Sequence, residues 1–437
     1  DFLERLGCRW FFPGAFGEVV PKRDTLVLDA MEAHERPDFR LRNIWYSGWM
    51  PVQGNDAAEY TVWMDRNRMN TLKGLSLPGD GSITRLAPPE TYFASHPNIY
   101  AVNEKGERDP GMLCLTEPEA VTIAAATIKE AFRADPSLAT FGFAPPDGHP
   151  QCFCERCQAS NPHFCGKGYG EPSLSDVWFR FANAVAVEVY KEFPDRWLLT
   201  NGYANRVRVP EGIAPLSPNL GIQSAMLDSC TFHSIGDPKC WQRRLYKTVL
   251  DRWTETLRCV FIYDYDPGKS LDGMPFPMVH NLERDFRYFK ERGVWGFWTE
   301  GQNCWMVTHL NYYIRARLMW DADADVEALV RDYCGRFYGA AARPLEKYIW
   351  TQERAVDDST IHETFGRLVP WRVIYTPKVM KTLDRLMAEA VRRAADSPES
   401  AHVRVLELVH RYIQAHLAME GEGAEGDFAG AVEQADE

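Results

Sequence analysis

From about residue 40 the chain repeats one pattern, in which a short apolar run ends in polar or aromatic residues and is followed by a helical stretch. Eight such runs occur, at Asn43–Ser47, Thr71–Leu77, Met112–Thr116, Thr140–Ala144, Trp197–Tyr203, Leu220–Met226, Cys259–Tyr265 and Val294–Glu300. Several lack the polar/apolar alternation of a half-exposed strand, as expected of parallel strands covered on both faces. The intervening segments have recognisable helix ends. Glu117–Arg133 carries Pro118 in its first turn, where the missing N–H costs nothing, and sets Val121, Ala124, Ala125 and Ile128 at helical spacing. Ser173–Phe193 and Asp237–Leu257 follow the same rule, and Asn281–Arg292 stops at Gly293, directly before the eighth run. Asn205–Pro218 contains three prolines and reads as an irregular loop.

Strands alternating with helices imply an α/β fold with right-handed crossovers and a parallel sheet. Eight repeats over roughly 280 residues match a closed (β/α)8 barrel, the TIM barrel, here spanning residues 37–322. An open doubly wound sheet competes, but no glycine-rich phosphate loop follows the first strand. Beyond Trp320, Val326–Tyr338, Pro344–Val356, Pro377–Ala394 and Ala401–Ala418 read as helices, so residues 323–437 form a C-terminal helical region. The tail GEGAEGDFAGAVEQADE is acidic and Gly/Ala-rich, and is expected to be loose. Residues 1–36 open in the middle of a helix-to-strand passage, DFLERLGCRWFFPG, and read as a truncated α/β segment.

Composition narrows the partners. With 437 residues, 45% of them hydrophobic, the chain can bury one large core and a smaller one. Asp and Glu number 61 against 49 Lys and Arg, a net charge of -12, and no basic run is present to track a phosphate backbone, which argues against nucleic acid. The most apolar stretch, Ala120–Ile128, falls far short of the roughly 20 residues a membrane span needs. The 11 cysteines are an odd number, and Cys114, Cys259 and Cys334 sit in apolar stretches as buried thiols would.

Active residues of such a barrel lie at the C-terminal ends of its strands, which nominates a short set. Asp147 follows the fourth run in FGFAPPDG, Asp264 and Asp266 close the seventh in FIYDYDP, and Glu300 closes the eighth in VWGFWTEG. Two carboxyl groups facing each other across a barrel mouth suit glycoside hydrolysis, one protonating the leaving oxygen and the other supporting the oxocarbenium-like transition state. Asp147-Gly148 reads equally well as a turn. Asp264 and Asp266 alternate with Tyr263 and Tyr265, so only one of these pairs can face inward. Rings at the strand ends, Trp45, Tyr46, Trp49, Tyr203, Tyr263, Tyr265, Trp298 and Trp305, offer flat faces for sugars, while Asn201, Asn43 and Arg42 could bond hydroxyls. Core packing is the competing use of each ring. His233 and His280 lie near the ends of the sixth and seventh strands, as sugar contacts or as satisfied structural residues.

A separate pattern follows Asp147. Cys152, Cys154 and Cys157 form C-x-C-x-x-C, with Cys165, His149 and His163 nearby, and could hold a structural zinc; a disulfide plus one free thiol is the rival. No H-E-x-x-H motif, Gly-x-Ser-x-Gly elbow or Walker loop is present.

The segments HPNIYAVNEKGERDPGMLCLTEPEAV and FGFAPPDGHPQCFCERC, and the strand GVWGFWTEG followed by YYIRARLMWDADAD, together resemble the bacterial domain of unknown function 4838, whose members are classed as glycoside hydrolase family 163. The likeness runs from about Pro37 to Tyr338. DFLERLGCRWFFPGAFGEVVPK is similar to the end of the small domain preceding the barrel in alpha-glucuronidases and related hexosaminidases. The resemblance implies endo-β-N-acetylglucosaminidase action on N-glycans by a secreted, periplasmic or cell-surface bacterial enzyme, with Asp147 and Glu300 at its acidic positions and no cofactor needed for catalysis. Where the sugar carries an N-acetyl group, its carbonyl could act as nucleophile with one carboxylate orienting it. The alternatives are a catalytically inactive carbohydrate-binding barrel, another hexosaminidase or glucuronidase, and a zinc-dependent hydrolase using the Cys/His cluster.

Overall fold

The structure is a computed structural model, described here for residues 2–27, 30–45, 57–70, 74–147, 151–160, 173–213, 215–227, 229–265, 273–301, 305–363 and 368–425. Tyr46, Trp49, His149, His163, Cys165 and Asp266 lie outside the described residues.

The strands are β1 (Arg9–Trp10), β2 (Glu18–Val19), β3 (Leu41–Trp45), β4 (Tyr100–Val102), β5 (Arg108–Leu113), β6 (Thr140–Gly142), β7 (Trp197–Gly202), β8 (Leu220–Ala225), β9 (Cys259–Tyr265) and β10 (Gly296–Glu300). Six of them form one parallel sheet in the order β3-β10-β9-β8-β7-β6, and β1-β2 and β4-β5 are separate antiparallel pairs. The parallel sheet curls into a half-barrel. Its inner face buries Leu41, Leu199, Cys259 and Phe261, with Leu75, Leu77, Trp197, Trp295 and Trp298 packed against them.

The complete eightfold ring is not formed among the described residues. The second expected strand, Thr71–Leu77, is irregular where described, from Gly74 to Leu77, and bonds there to the β6 edge, while the preceding Asn70 bonds to β3. Asn70 N–H donates to Arg42 O at 3.0 Å on the β3 side, while Ala139 N–H donates to Gly74 O at 2.8 Å and Ser76 N–H to Thr140 Oγ1 at 2.7 Å on the β6 side. The third expected strand, Met112–Thr116, joins the sheet at neither edge; Met112 and Leu113 end β5, which pairs antiparallel with β4. Local turn chemistry explains this. Asn103 Oδ1 accepts from the N–H groups of Lys105 and Glu107 at 2.9 and 3.0 Å, and Gly106 takes φ +83°, so the chain folds back on itself before it can cross over.

Helices α1 (Phe2–Arg5), α2 (Ala57–Arg66), α3 (Pro89–Tyr92), α4 (Pro118–Ala134), α5 (Glu155–Ser160), α6 (Ser175–Tyr190), α7 (Trp241–Thr256), α8 (Val279–Glu291) and α9 (Trp305–Trp320) accompany these strands. The layer is held by rings: Phe286 and Phe289 of α8 pack on Phe297 of β10, with centroids 4.5 and 5.4 Å apart. Next come α10 (Val326–Tyr338), α11 (Ala342–Asp357), α12 (Trp371–Ile374), α13 (Pro377–Ala394) and α14 (Ser400–Glu425). The α10 and α13 limits coincide with the sequence expectation because both have side-chain caps: Asp325 accepts from Ala328 N–H at 2.9 Å and Thr376 from Val379 N–H at 3.4 Å. The start of the tail expected to be loose, Gly421–Glu425, continues α14. Helix α9 is buried on all sides, between the sheet and α10, so it shows no amphipathic stripe. Phe11 beside β1 also packs there, with its ring 4.9 Å from Tyr313 and 5.0 Å from Tyr333. No described helix is long and apolar enough to cross a membrane.

Candidate active site

Strand alternation decides which candidates meet. On β10 the outward Phe297 packs on Phe39, Phe286 and Phe289, which leaves Trp298 and Glu300 on the inner face. On β9, Cys259 and Phe261 belong to the inner core, so Tyr263 and Tyr265 share their face. On β7 and β3 the inner Leu199 and Leu41 put Asn201, Asn43 and Trp45 on that face. Register then sets Glu300 opposite Trp45 on one side and Tyr265 on the other.

Tyr263 O–H donates to Glu300 Oε2. The Tyr263 ring lies 6.4 Å from Trp45 and 5.2 Å from Tyr265, and Trp45 meets Trp298 edge-on at 6.1 Å. Burial, followed by the bond to Glu300, raises the Tyr263 phenol well above its ordinary value, so it remains a donor at working pH. Burial likewise raises Tyr265, helped by Tyr263, Tyr203, Glu300 and Asp147. Asp147, exposed after β6, donates its backbone N–H to Asp80 Oδ1 at 2.6 Å. Glu300 ends β10 and Asp147 follows β6, so both lie at the C-terminal end of the parallel sheet.

Arg206 was not singled out in the sequence because it falls in the proline-rich loop. It is only 1% exposed and donates from Nε to Asn201 Oδ1 at 2.9 Å and from Nη1 to Asn205 Oδ1 at 3.2 Å. Its Nη2 is buried with no hydrogen-bond partner among the described residues. Burial pulls its pKa down to about 10, opposed by Tyr203, Asp147 and Asp80, and its hydrogen bond sets the guanidinium beside Asn201. No sequence signal marks it: Ala204, two positions before, takes the left-handed φ of +48°, which an alanine does not announce.

Other candidates lie elsewhere. Asp264 faces outward, accepting from Thr299 Oγ1 at 2.7 Å and pairing with Arg315 of α9. Arg42 also faces outward, donating to Arg68 O at 2.9 Å and Phe39 O at 2.8 Å. Asn43 Nδ2 bonds Asn70 O at 3.2 Å. Trp305 is a core residue, 5.0 Å from Trp63. His280 pairs with Glu353 at 2.6 Å, which raises its pKa. His233, expected to contact sugar, is 1% exposed, with Nδ1 3.3 Å from Cys230 Sγ. A histidine so deeply enclosed cannot line the mouth.

The cysteine pattern acquires its fourth member from far upstream. Cys114, Cys152, Cys154 and Cys157 bring their Sγ atoms within 4.8 Å of one another, with Cys114 Sγ 3.7 Å from Cys154 and 3.8 Å from Cys157. All four are free thiols rather than disulfide partners. Val102 N–H donates to Cys152 Sγ at 3.3 Å and Cys157 N–H to Cys154 Sγ at 3.5 Å.

No curated protein sequence matches the chain. Among solved structures it is similar to a GH138 enzyme targeting pectin rhamnogalacturonan II, at 9% identity and a TM-score of 0.37, over 92% of this chain and 75% of that one. The family described as "Domain of unknown function (DUF4838)" matches residues 12–350, most of the chain, and the chain belongs to that family.

Proposed function

We propose that the chain is a glycoside hydrolase whose carboxyl pair is Glu300 and Asp147. The observation that carries this reading is Glu300 on the inner face at the end of β10, where it receives the Tyr263 hydroxyl beside Trp45 and Trp298, with Asp147 following β6 at the same end of the parallel sheet. One carboxyl would protonate the leaving oxygen while the other supports the developing oxocarbenium charge or orients an N-acetyl carbonyl. Trp45, Trp298, Tyr203 and Tyr265 supply faces for sugar rings, and Asn201, oriented by Arg206, supplies hydroxyl contacts. The finer reading, endo-β-N-acetylglucosaminidase action on N-glycans by an exported enzyme, rests on the sequence motifs.

Glycan release from a complex-type glycoprotein, followed by mass analysis of the products, tests the proposal. Glu300→Gln and Asp147→Asn should each lower turnover about 10²–10⁴-fold, the usual contribution of acid–base catalysis. Wild-type turnover in both variants would remove the carboxyl pair, and sugar binding without hydrolysis by the wild type would make the chain a binding protein.

The same proposal includes a structural zinc on Cys114, Cys152, Cys154 and Cys157. Tetrahedral zinc with bonds of about 2.3 Å places sulfurs roughly 3.8 Å apart, and the donor separations of 3.7 and 3.8 Å fit. Four protein thiolates leave no position for substrate, so the ion would hold the loop after β6 to the end of β5.

A further inference from the structure

The described residues hold a second group of soft ligands. Cys230 and His233, in the loop after β8, meet Cys240 at the start of α7 and His362 in the link between α11 and α12; one donor atom from each lies within 4.8 Å of all the others. Cys230, His233 and Cys240 are 0–1% exposed. Two ring nitrogens, His233 Nε2 and His362 Nδ1, are buried without a hydrogen-bond partner among the described residues. Buried imidazole nitrogens ordinarily have partners, because losing water without replacement costs free energy. The two rings are 4.9 Å apart, and His233 Nδ1 is 3.3 Å from Cys230 Sγ.

We infer that Cys230, Cys240, His233 and His362 form a structural zinc site that ties the loop after β8 to the C-terminal helical region. Two thiolates and two imidazoles in a closed, buried tetrad select zinc over harder cations, and with four protein donors the ion keeps no open position. Its position suggests what it holds in place. Thr231 Oγ1 donates to Glu363 Oε2 at 2.8 Å, and Ser229, Thr231 and Glu363 line a cavity on the outer face of the sheet together with Asp264, Phe286 and Arg315. The ion therefore anchors the loop after β8 on the outer side of the sheet, behind β9. The sequence conceals the site because His362 follows Cys240 only after seven helices and strands, α7 to α11 with β9 and β10, and their links.

The test is zinc content by mass spectrometry together with zinc K-edge absorption on the full chain purified without chelator. About two zinc ions per chain are expected, with a mean shell of about three sulfurs to one nitrogen when both sites are filled. If the four-cysteine site does not bind, about one ion in an equal sulfur and nitrogen shell still supports the inference. The paired variant Cys240→Ser/His362→Ala should lose about one ion and all nitrogen from the shell. Should that variant fail to fold, the wild-type spectrum decides alone. An all-sulfur shell, absence of zinc, or a Cys230–Cys240 disulfide in peptides mapped without reductant would overturn the assignment.

Discussion

Replacing Tyr263 by Phe removes one oxygen from the candidate site and leaves the ring in place. The ring contacts with Trp45 at 6.4 Å and Tyr265 at 5.2 Å persist, so the fold should be undisturbed. What disappears is the donor to Glu300 Oε2, which is always protonated because burial and Glu300 itself hold the phenol far above neutral pH. A hydrogen bond to a charged group is worth about 1.5–3 kcal/mol; Glu300 is only partly buried, so water replaces some of it, leaving about 1–2 kcal/mol. If the bond holds Glu300 in its working orientation and that order is worth as much in the transition state, kcat/KM should fall by about 5–30-fold, with the melting temperature lowered by no more than a few degrees. The assay is kcat/KM for glycan release by Tyr263→Phe beside Glu300→Gln. A Tyr263→Phe enzyme within twofold of wild type, alongside an inactive Glu300→Gln, would refute the view that this bond positions the catalytic carboxyl.

Three further outcomes follow from the structure. His309 is buried between Trp305 O at 3.0 Å and Tyr333 Oη at 2.7 Å, and burial lowers its pKa from 6.5 to about 4. The unfolded chain therefore takes up this proton first as pH falls from 6.5 toward 4, so the stability present above that window is lost by about 3 kcal/mol once pH reaches 4; in urea unfolding the loss between pH 7 and 4.5 should be smaller by about 2 kcal/mol in His309→Gln than in the wild type. Gly296 has φ +155°, and a Cβ there would lie 2.0 Å from Leu41 O, so Gly296→Ala should separate β10 from β3 and yield little folded protein by circular dichroism. Chelation of the protein should lower its melting temperature and raise the number of alkylatable thiols, whereas unchanged values of both would argue against structural metal.

The C-terminal helices were legible because their ends are written locally: Thr376-Pro377 and Asp325 cap the helices whose limits matched the expectation. Six of the strand runs were legible because both faces of a parallel sheet are buried, which requires nearly continuous apolar residues. Helix α9 gave no such signal, since burial on every side erases its periodicity. Met112–Thr116 carried the composition of a core strand, but the Asn103–Gly106 turn beside it won through a contact only a few residues away in the chain.

The order of strands and helices, the acidic ends of the fourth and eighth runs, and the three clustered cysteines were set by sequence, because each depends on composition or on spacing within a few residues. Tertiary structure decided which side chains meet. It turned Tyr263 and Tyr265 inward and Asp264 outward, brought Cys114 to the cysteine pattern, and gathered Cys230, His233, Cys240 and His362 from distant segments. The physical reason is that a strand's alternation fixes two faces but not their direction; packing against the inner core and the outer helices chooses between them.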